Sequence, residues 1–332
     1  MLQKVSEAMV NHKLLENAAL EDDPHMRIAM VAAFTTVQYY SIPNRTLKPF
    51  NPLLGETYEY VCKDFKFLSE QVSHHPPITA CHSYGKGYEV WMHTEMNSKF
   101  RGKSLEFIPV GKMYFVIGDQ HYIGSRPSTI VNNIILGTLY LDLGGTTTTV
   151  CPQTGVKCEI THKEQGMFSR TKHVIDGSVF DPDGKKVLRV HGHWSSQVIV
   201  TDLRTKEDVV IWEAHPKADR SDEQYGLTPF AINLNYLPKE LEEKIAPTDS
   251  RYRPDLRAFE NGDIDAGGEE KNRLEDRQRE ARKIRNDKGE HWTPLYFEEV
   301  IDEDTSDKFF KINDRYWINR ALGDWKDSPD IF

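Results

Sequence analysis

Cysteine is scarce in this chain: 4 residues in 332, at Cys62, Cys81, Cys151 and Cys158. None forms a Cys-x-x-Cys pair, and Cys151 and Cys158 are spaced too loosely for a zinc knuckle. A disulfide framework and a structural zinc site are therefore not what stabilises the chain, and reduced thiols in a cytosolic setting are expected. Long apolar runs are missing as well. Nothing approaches the ~20 apolar residues that cross a bilayer, and Met1-Leu2-Gln3-Lys4-Val5-Ser6-Glu7 carries an acid early with no apolar signal core. A cytoplasmic protein is expected, with any membrane contact peripheral and transient. Positive charge is not in excess either. The net charge of −9, from 42 basic and 51 acidic residues, excludes a whole-surface polyanion binder; an anion can be held only by a local basic patch, and nucleic acid is not an expected partner. No linker rich in Gly, Ser or Pro divides the chain, so 1–332 reads as one domain. With 38% hydrophobic and 11% aromatic residues, it has enough apolar material for a substantial core and is not a disordered chain.

The most informative stretch is Glu70-Gln71-Val72-Ser73-His74-His75-Pro76-Pro77. Two adjacent imidazoles precede two residues that lack a backbone N–H and hold φ near about −65°. Apolar, β-prone runs flank it (Phe65, Phe67, Leu68 before; Ile78, Thr79, Ala80, Cys81 after), so it reads as strand, rigid corner, strand. Adjacent residues of an extended chain point to opposite sides, so the corner is expected to offer imidazoles in two directions. Structural histidines at a proline turn are the alternative.

Taken in order, residues 2–20 place Leu2, Val5, Met9, Leu14, Leu15 and Ala18 at helical spacing, predicting an amphipathic helix. Glu21-Asp22-Asp23-Pro24 supplies a helix start. The helix predicted over about 24–40 is apolar nearly all round (Ile28, Met30, Val31, Ala32, Ala33, Phe34, Val37), hence buried. Gln38, Tyr39 and Tyr40 at its end are either hydrogen-bonded internally or face a ligand. Leu47-Lys48-Pro49-Phe50-Asn51-Pro52-Leu53-Leu54-Gly55-Glu56 is a stiffened loop carrying one cation, Lys48, and one amide, Asn51. From 57 to 212, short alternating strands such as Tyr88–His93 and Val187–His191 recur between glycine and proline turns, predicting a meandering antiparallel sheet or barrel. No blade-length repeat is present, which argues against a propeller. Beyond 213 the chain turns to short helices, a turn at Arg251-Tyr252-Arg253-Pro254-Asp255, a charged helix over 269–287 and an aromatic tail expected to pack on the body.

Chemistry is thinly signalled. There is no Gly-x-Ser-x-Gly, and Gly102-Lys103-Ser104 lacks the upstream glycine of a phosphate loop, Asn97 standing there. No His-Glu-x-x-His or comparable metal spacing occurs. His191 and His193 share a strand face without further ligands, so neither a catalytic residue nor a metal is expected. In the charged helix, Lys271, Glu275 and Arg279 align at i, i+4, i+8. They form either a solvated salt-bridged face or an anion site in which Glu275 holds two cations.

Three separated motifs in this order, the loop at Lys48–Glu56, the His-His-Pro-Pro corner and the Lys271/Glu275/Arg279 triplet, resemble the oxysterol-binding-protein-related family of lipid-transfer proteins over nearly the whole chain. Arg251–Asp255 is also similar. The resemblance implies a mainly β, α+β fold: a large, near-closed antiparallel β-barrel (42–212) around an apolar tunnel, with N-terminal helices (1–41) and a C-terminal helical and aromatic subdomain (213–332). It implies a non-enzymatic protein without cofactors that takes phosphatidylinositol 4-phosphate, acyl chains inside and headgroup at the mouth. A second lipid, sterol or phosphatidylserine, would be exchanged for it between membranes. Lys48, Asn51, His74, His75, Lys271 and Arg279 would contact the headgroup, Glu275 would orient the cations, and Gln38-Tyr39 sits where a sterol-binding member's Gln-Tyr pair faces the sterol. A phosphoinositide sensor without net transport is the alternative. Family members usually carry a lid segment before the first helix; this sequence opens in what resembles that helix, so weaker retention of a loaded lipid is expected.

Overall fold

The computed structural model describes residues 1–332 apart from positions 44, 46, 47, 167–170, 224 and 304; Leu47, which opens the predicted loop, lies outside the described residues. The single helix expected over 2–20 is broken into α1 (Leu2–Ser6), a 3₁₀ turn (Glu7–Asn11) and α2 (His12–Leu20). The break has a local cause at buried Asn11. Its amide donates to the Ala8 and Val37 carbonyls, each at 3.4 Å, and its oxygen accepts from Trp212 Nε1 at 2.9 Å. A side chain that bonds backbone in this way competes with regular helix.

Helix α3 (Pro24–Val37) starts where the sequence places it. The Asp23 carboxylate caps it by accepting the His25 N–H at 3.0 Å, with Pro24 at the first helical position. It stops at Val37, a turn earlier than expected. Ile28, Ala29, Val31, Ala32, Ala33, Phe34 and Val37 are all buried, because the helix lies in the concavity of the sheet that follows.

That sheet has 15 strands: β1 (Thr57–Val61), β2 (Phe65–His74), β3 (Pro77–Gly85), β4 (Tyr88–Thr94), β5 (Met96–Phe100), β6 (Ser104–Pro109), β7 (Met113–Ile117), β8 (Gln120–Gly124), β9 (Ser128–Asn132), β10 (Tyr140–Val150), β11 (Lys157–Lys163), β12 (Val174–Phe180), β13 (Lys186–His193), β14 (Gln197–Asp202) and β15 (Asp208–Glu213). Every pairing between these strands is antiparallel, along β1-β2-β3-β4-β7-β8-β10-β11-β12-β13-β14-β15. Among the described residues β15 does not bond back to β1, so the barrel is nearly closed rather than closed. The seam is bridged by other segments: Tyr58 donates to the Leu234 carbonyl at 2.8 Å, and Phe230 packs on Tyr60. Helix α3 contacts β8 and β10–β14. Between it and the opposite wall (Phe67, Cys81, Val90, Met92, Met113) there remains a void of about 10 Å³, room for about one water. The interior is apolar as expected, and Ala8, Met9 and Phe34 of the N-terminal segments line this void.

Three strands continue the wall past the barrel. Thr79 pairs with Thr94, which puts the end of β4 beside the start of β3, just after the His-His-Pro-Pro corner. Beyond that row β5 and β6 pair with each other, and β9 joins β6 to the first half of β10. The breaks between β4 and β5, β6 and β7, and β8 and β9 are held by Arg126, whose guanidinium donates to the His93 carbonyl at 2.7 Å and the Gly111 carbonyl at 3.2 Å. We call this extension the flap.

After β15 come α4 (Pro229–Ile232), α5 (Lys239–Glu242), α6 (Pro254–Glu260) and α7 (Ile264–Asp287), then β16 (Phe297–Ile301) and β17 (Lys308–Ile312) in a hairpin, and α8 (Arg315–Leu322). The hairpin within the tail was not anticipated. The tail packs as expected: Tyr296, Phe297, Phe310 and Tyr316 form a second core with Leu68, Val72 and Ala80. It is also pinned by Glu70, whose carboxylate accepts the Leu295 and Tyr296 N–H groups at 2.8 and 2.9 Å. Burial, partly offset by these hydrogen bonds, pushes the Glu70 carboxyl up to about 7.

Candidate functional site

At the corner end of the barrel a cavity of about 280 Å³ is enclosed by Asn51–Leu54, His74, His75 and Arg253 on one side and Glu275, Gln278, Arg279, Arg282 and Arg285 of α7 on the other. The α7 residues recur every three or four positions, so one helix face supplies them all. The loop that faces it is rigid for identifiable reasons. Gly55 has φ +81°, and a Cβ there would meet the Trp292 ring at 2.8 Å, so glycine is required. The buried Glu56 carboxylate accepts the Leu53 N–H at 2.9 Å and Arg253 Nη1 at 2.7 Å, and Arg253 donates also to the Asn51 carbonyl at 2.9 Å and to Asp255.

The histidine corner differs from expectation. The two rings do not diverge: their centroids are 4.6 Å apart in an edge-to-face arrangement, around a cis His75–Pro76 bond, and both line the cavity. The alternation argument fails because β2 ends at His74 and His75 already lies in the turn that follows. Gln278 sets the His74 tautomer. Its amide oxygen accepts the Leu54 N–H at 2.7 Å, so its NH₂ faces His74, 2.9 Å from Nε2. His74 Nε2 therefore accepts. Burial, the neighbouring His75 and Arg282 all lower the His74 pKa below the usual imidazole range, so the ring is neutral near pH 7 and can take up a proton when an anion arrives.

The charge on α7 is also arranged differently from expectation. Glu275 pairs with Lys271 at 2.9 Å, but Arg279 pairs with Asp276 rather than Glu275. The carboxylate thus holds one cation, not two, because an i, i+3 partner captures the second. Among the described residues Arg282 and Arg285 form no ion pair; Arg285 lies 5.6 Å over the Trp292 ring. With Arg282 and Arg285, two histidines and the ion-paired Arg253 and Arg279 all on its wall, the cavity suits a multiply charged anion that can accept forked hydrogen bonds.

Of the residues singled out in the sequence, Asn51, His74, His75, Glu275 and Arg279 line this cavity, whereas Lys48 and Lys271 do not. Lys48 is exposed on the loop before it, and Lys271 sits one helical turn beyond Glu275. Gln38 and Tyr39 lie elsewhere, at the flap end of α3. Gln38 Nε2 donates to the Thr35 carbonyl at 2.8 Å and reaches Met113 Sδ at 3.2 Å. Burial raises the Tyr39 hydroxyl pKa, with Arg126 nearby opposing. The sequence reading missed Gln278, Arg282, Arg285 and Arg253. The first three were visible as continuations of the Lys271–Glu275–Arg279 spacing; Arg253 had no such signal. One group of ligand-type side chains that spacing could not reveal, His12, Glu16 and Asp64, comes within 4.8 Å across α2 and the β1–β2 turn. Glu16 there is engaged by Lys13 at 2.6 Å. Among the described residues no helix is long and apolar enough to cross a membrane.

Comparison with known proteins bears on this arrangement. The family model described as Oxysterol-binding protein matches residues 1–321. The chain is 38% identical over 340 residues to oxysterol-binding protein-related protein 1B of Arabidopsis thaliana, covering 100% of this chain and 68% of that protein. It is 35% identical over 365 residues to oxysterol-binding protein homolog 1 of Saccharomyces cerevisiae, covering 100% of this chain but 30% of that one. Among solved structures, the Osh1 ORD domain in complex with ergosterol superposes with a TM-score of 0.92 at 32% identity, over 100% of this chain and 84% of that one. The Osh3 ORD in complex with PI(4)P from Saccharomyces cerevisiae gives 0.86 at 32% identity, over 100% and 88%. On both sequence and fold, the chain belongs to the oxysterol-binding protein family.

Proposed function

We propose that this chain is a lipid-transfer protein that extracts phosphatidylinositol 4-phosphate and exchanges it for a second lipid, a sterol or phosphatidylserine, without catalysing any reaction. One observation carries the reading: Arg282 and Arg285, which have no carboxylate partner among the described residues, face His74 and His75 across a cavity at the end of an apolar barrel. A phosphorylated headgroup supplies the missing anions there, and acyl chains belong in the interior lined by Met9, Phe34, Met92 and Met113. The solved relatives support both halves, since the Osh3 domain was crystallised with PI(4)P and the Osh1 domain with ergosterol. In this reading Asn51, His74, His75, Arg279 and Arg282 donate to the headgroup, Lys48 and Lys271 add field at the rim, and Glu275 orients Lys271. Gln38 and Tyr39 are assigned to the second lipid. Membrane contact is peripheral and transient.

The test is lipid extraction from liposomes by a His74→Ala, His75→Ala double variant. Phosphoinositide extraction is expected to fall to background while the far-ultraviolet dichroism stays unchanged and sterol binding persists. Retained extraction would sink the site assignment. Binding by the wild-type protein without movement of lipid between vesicles would favour a sensor.

A further inference from the structure

The flap carries a feature that lipid binding inside the barrel does not use. At its far end two adjacent turns meet, residues 101–103 between β5 and β6 and residues 133–139 between β9 and β10, tied by the Ile134 N–H donating to the Lys103 carbonyl at 3.2 Å. Their apex is apolar and open to solvent: Ile135 is 72% exposed, Leu136 87% and Phe100 63%. Apolar side chains of this size, clustered at a tip, are not needed to build the hairpins that carry them. All five residues of β5 are exposed. Lys99 and Lys103 flank the apex and, among the described residues, form no ion pair, while Arg101 is engaged by Glu106 and Glu164.

We propose that this tip is a membrane-docking element that inserts Ile135, Leu136 and Phe100 into the outer layer of a bilayer bearing anionic lipids. The inference rests on the lipid-transfer reading for its purpose, though not for its physics. Three observations select a bilayer over a protein partner. The apolar groups sit at the ends of turns, where they can reach the acyl boundary without exposing strand hydrogen bonds. Of the two lysines, Lys99 precedes Phe100 and Lys103 lies in the tip turn itself, placed to keep their charge among headgroups while their stems follow the apolar surface. The flap also extends from the barrel end that holds the His74–His75 corner, so seating the tip brings the headgroup cavity to the same face. A stable protein contact uses about 20–30 residues a side, more than two turns supply.

Flotation with phosphatidylcholine vesicles, with and without phosphatidylserine, tests this on the full chain. The Ile135→Asp, Leu136→Asp double variant is expected to lose vesicle binding by about tenfold or more, since each exposed aliphatic side chain contributes strongly when buried. Lys99→Gln with Lys103→Gln is expected to lose only the phosphatidylserine-dependent part. A water-soluble, short-chain phosphatidylinositol 4-phosphate, titrated in the absence of vesicles, is expected to bind wild type and Asp variant equally. Undiminished flotation of a folded Asp variant overturns the proposal. So does a wild-type dimer in sedimentation that the Asp variant abolishes, because a second copy would then cover the tip. Failure of wild type to bind the short-chain lipid, with tip-dependent flotation intact, overturns the phosphoinositide reading and leaves the docking element standing.

Discussion

Arg253 and Arg282 line the same cavity and carry the same charge into opposite circumstances. Arg253 is buried, 4% exposed, between Glu56 and Asp255 at 2.7 Å each, with a further bond to the Asn51 carbonyl. Arg251, two residues earlier, is likewise held by Asp249 at 2.8 Å and by the Glu59 carbonyl. These arginines join the chain after the barrel to its first strand and to the loop before it, and their charge is fully used within the fold. Arg282 lies at the surface of α7 and, among the described residues, has no carboxylate partner. A buried cation must be matched when the protein folds; an exposed one can wait for a ligand. A cation near a cavity is therefore informative about binding only when its local partners have been counted.

The largest effect expected from this contrast is on stability. Arg253→Met should destabilise the protein by about 3–5 kcal/mol, because it strands Glu56 and Asp255 as unmatched buried acids. Urea denaturation measures this, and a loss within about 0.5 kcal/mol, the range of ordinary surface substitutions, would break the distinction. Arg282→Gln should show the reverse: unchanged stability, with headgroup affinity reduced about tenfold or more, the scale of a lost charge-assisted hydrogen bond. Lys271→Gln should weaken binding less than Arg282→Gln, since Lys271 does not line the cavity. Its effect should be largely rescued by adding Glu275→Gln, because loss of Lys271 leaves the Glu275 carboxylate unpaired at the cavity wall. Titration calorimetry of the single and double variants reads both. The smallest effect concerns pH. His74 is held below its usual pKa, first by burial, then by His75 and Arg282, and a bound phosphate raises it. Binding then takes up a proton, so affinity should rise a few-fold as pH falls from about 8 to about 6. His74→Asn should flatten that slope, and an unchanged slope would remove His74 from the site.

Much of this arrangement was legible in the residues. The buried character of α3 followed from apolar positions all round it, and the strand-and-turn rhythm from 57 to 212 foretold the antiparallel sheet. The corner at His74-His75 and the face of α7 were visible because local spacing dictates which side chains share a helix face or a turn. Other features depended on contacts remote in sequence. Asn11 breaks the first helix because it meets Val37 and Trp212. Arg279 turned to Asp276, which spacing allowed as readily as Glu275.

By itself, then, the sequence determined the family, the element types, the histidine corner and one cationic helix face, since these rest on short-range stereochemistry and periodicity. Only the tertiary structure decided which cations are available. It buried Arg253 between Glu56 and Asp255, left Arg282 and Arg285 opposite His74 with no ion pair among the described residues, and kept Lys48 and Lys271 off the cavity wall. Charge availability is set by desolvation and by partners remote in sequence, such as Arg253 and Glu56, 197 residues apart, and no local pattern encodes it.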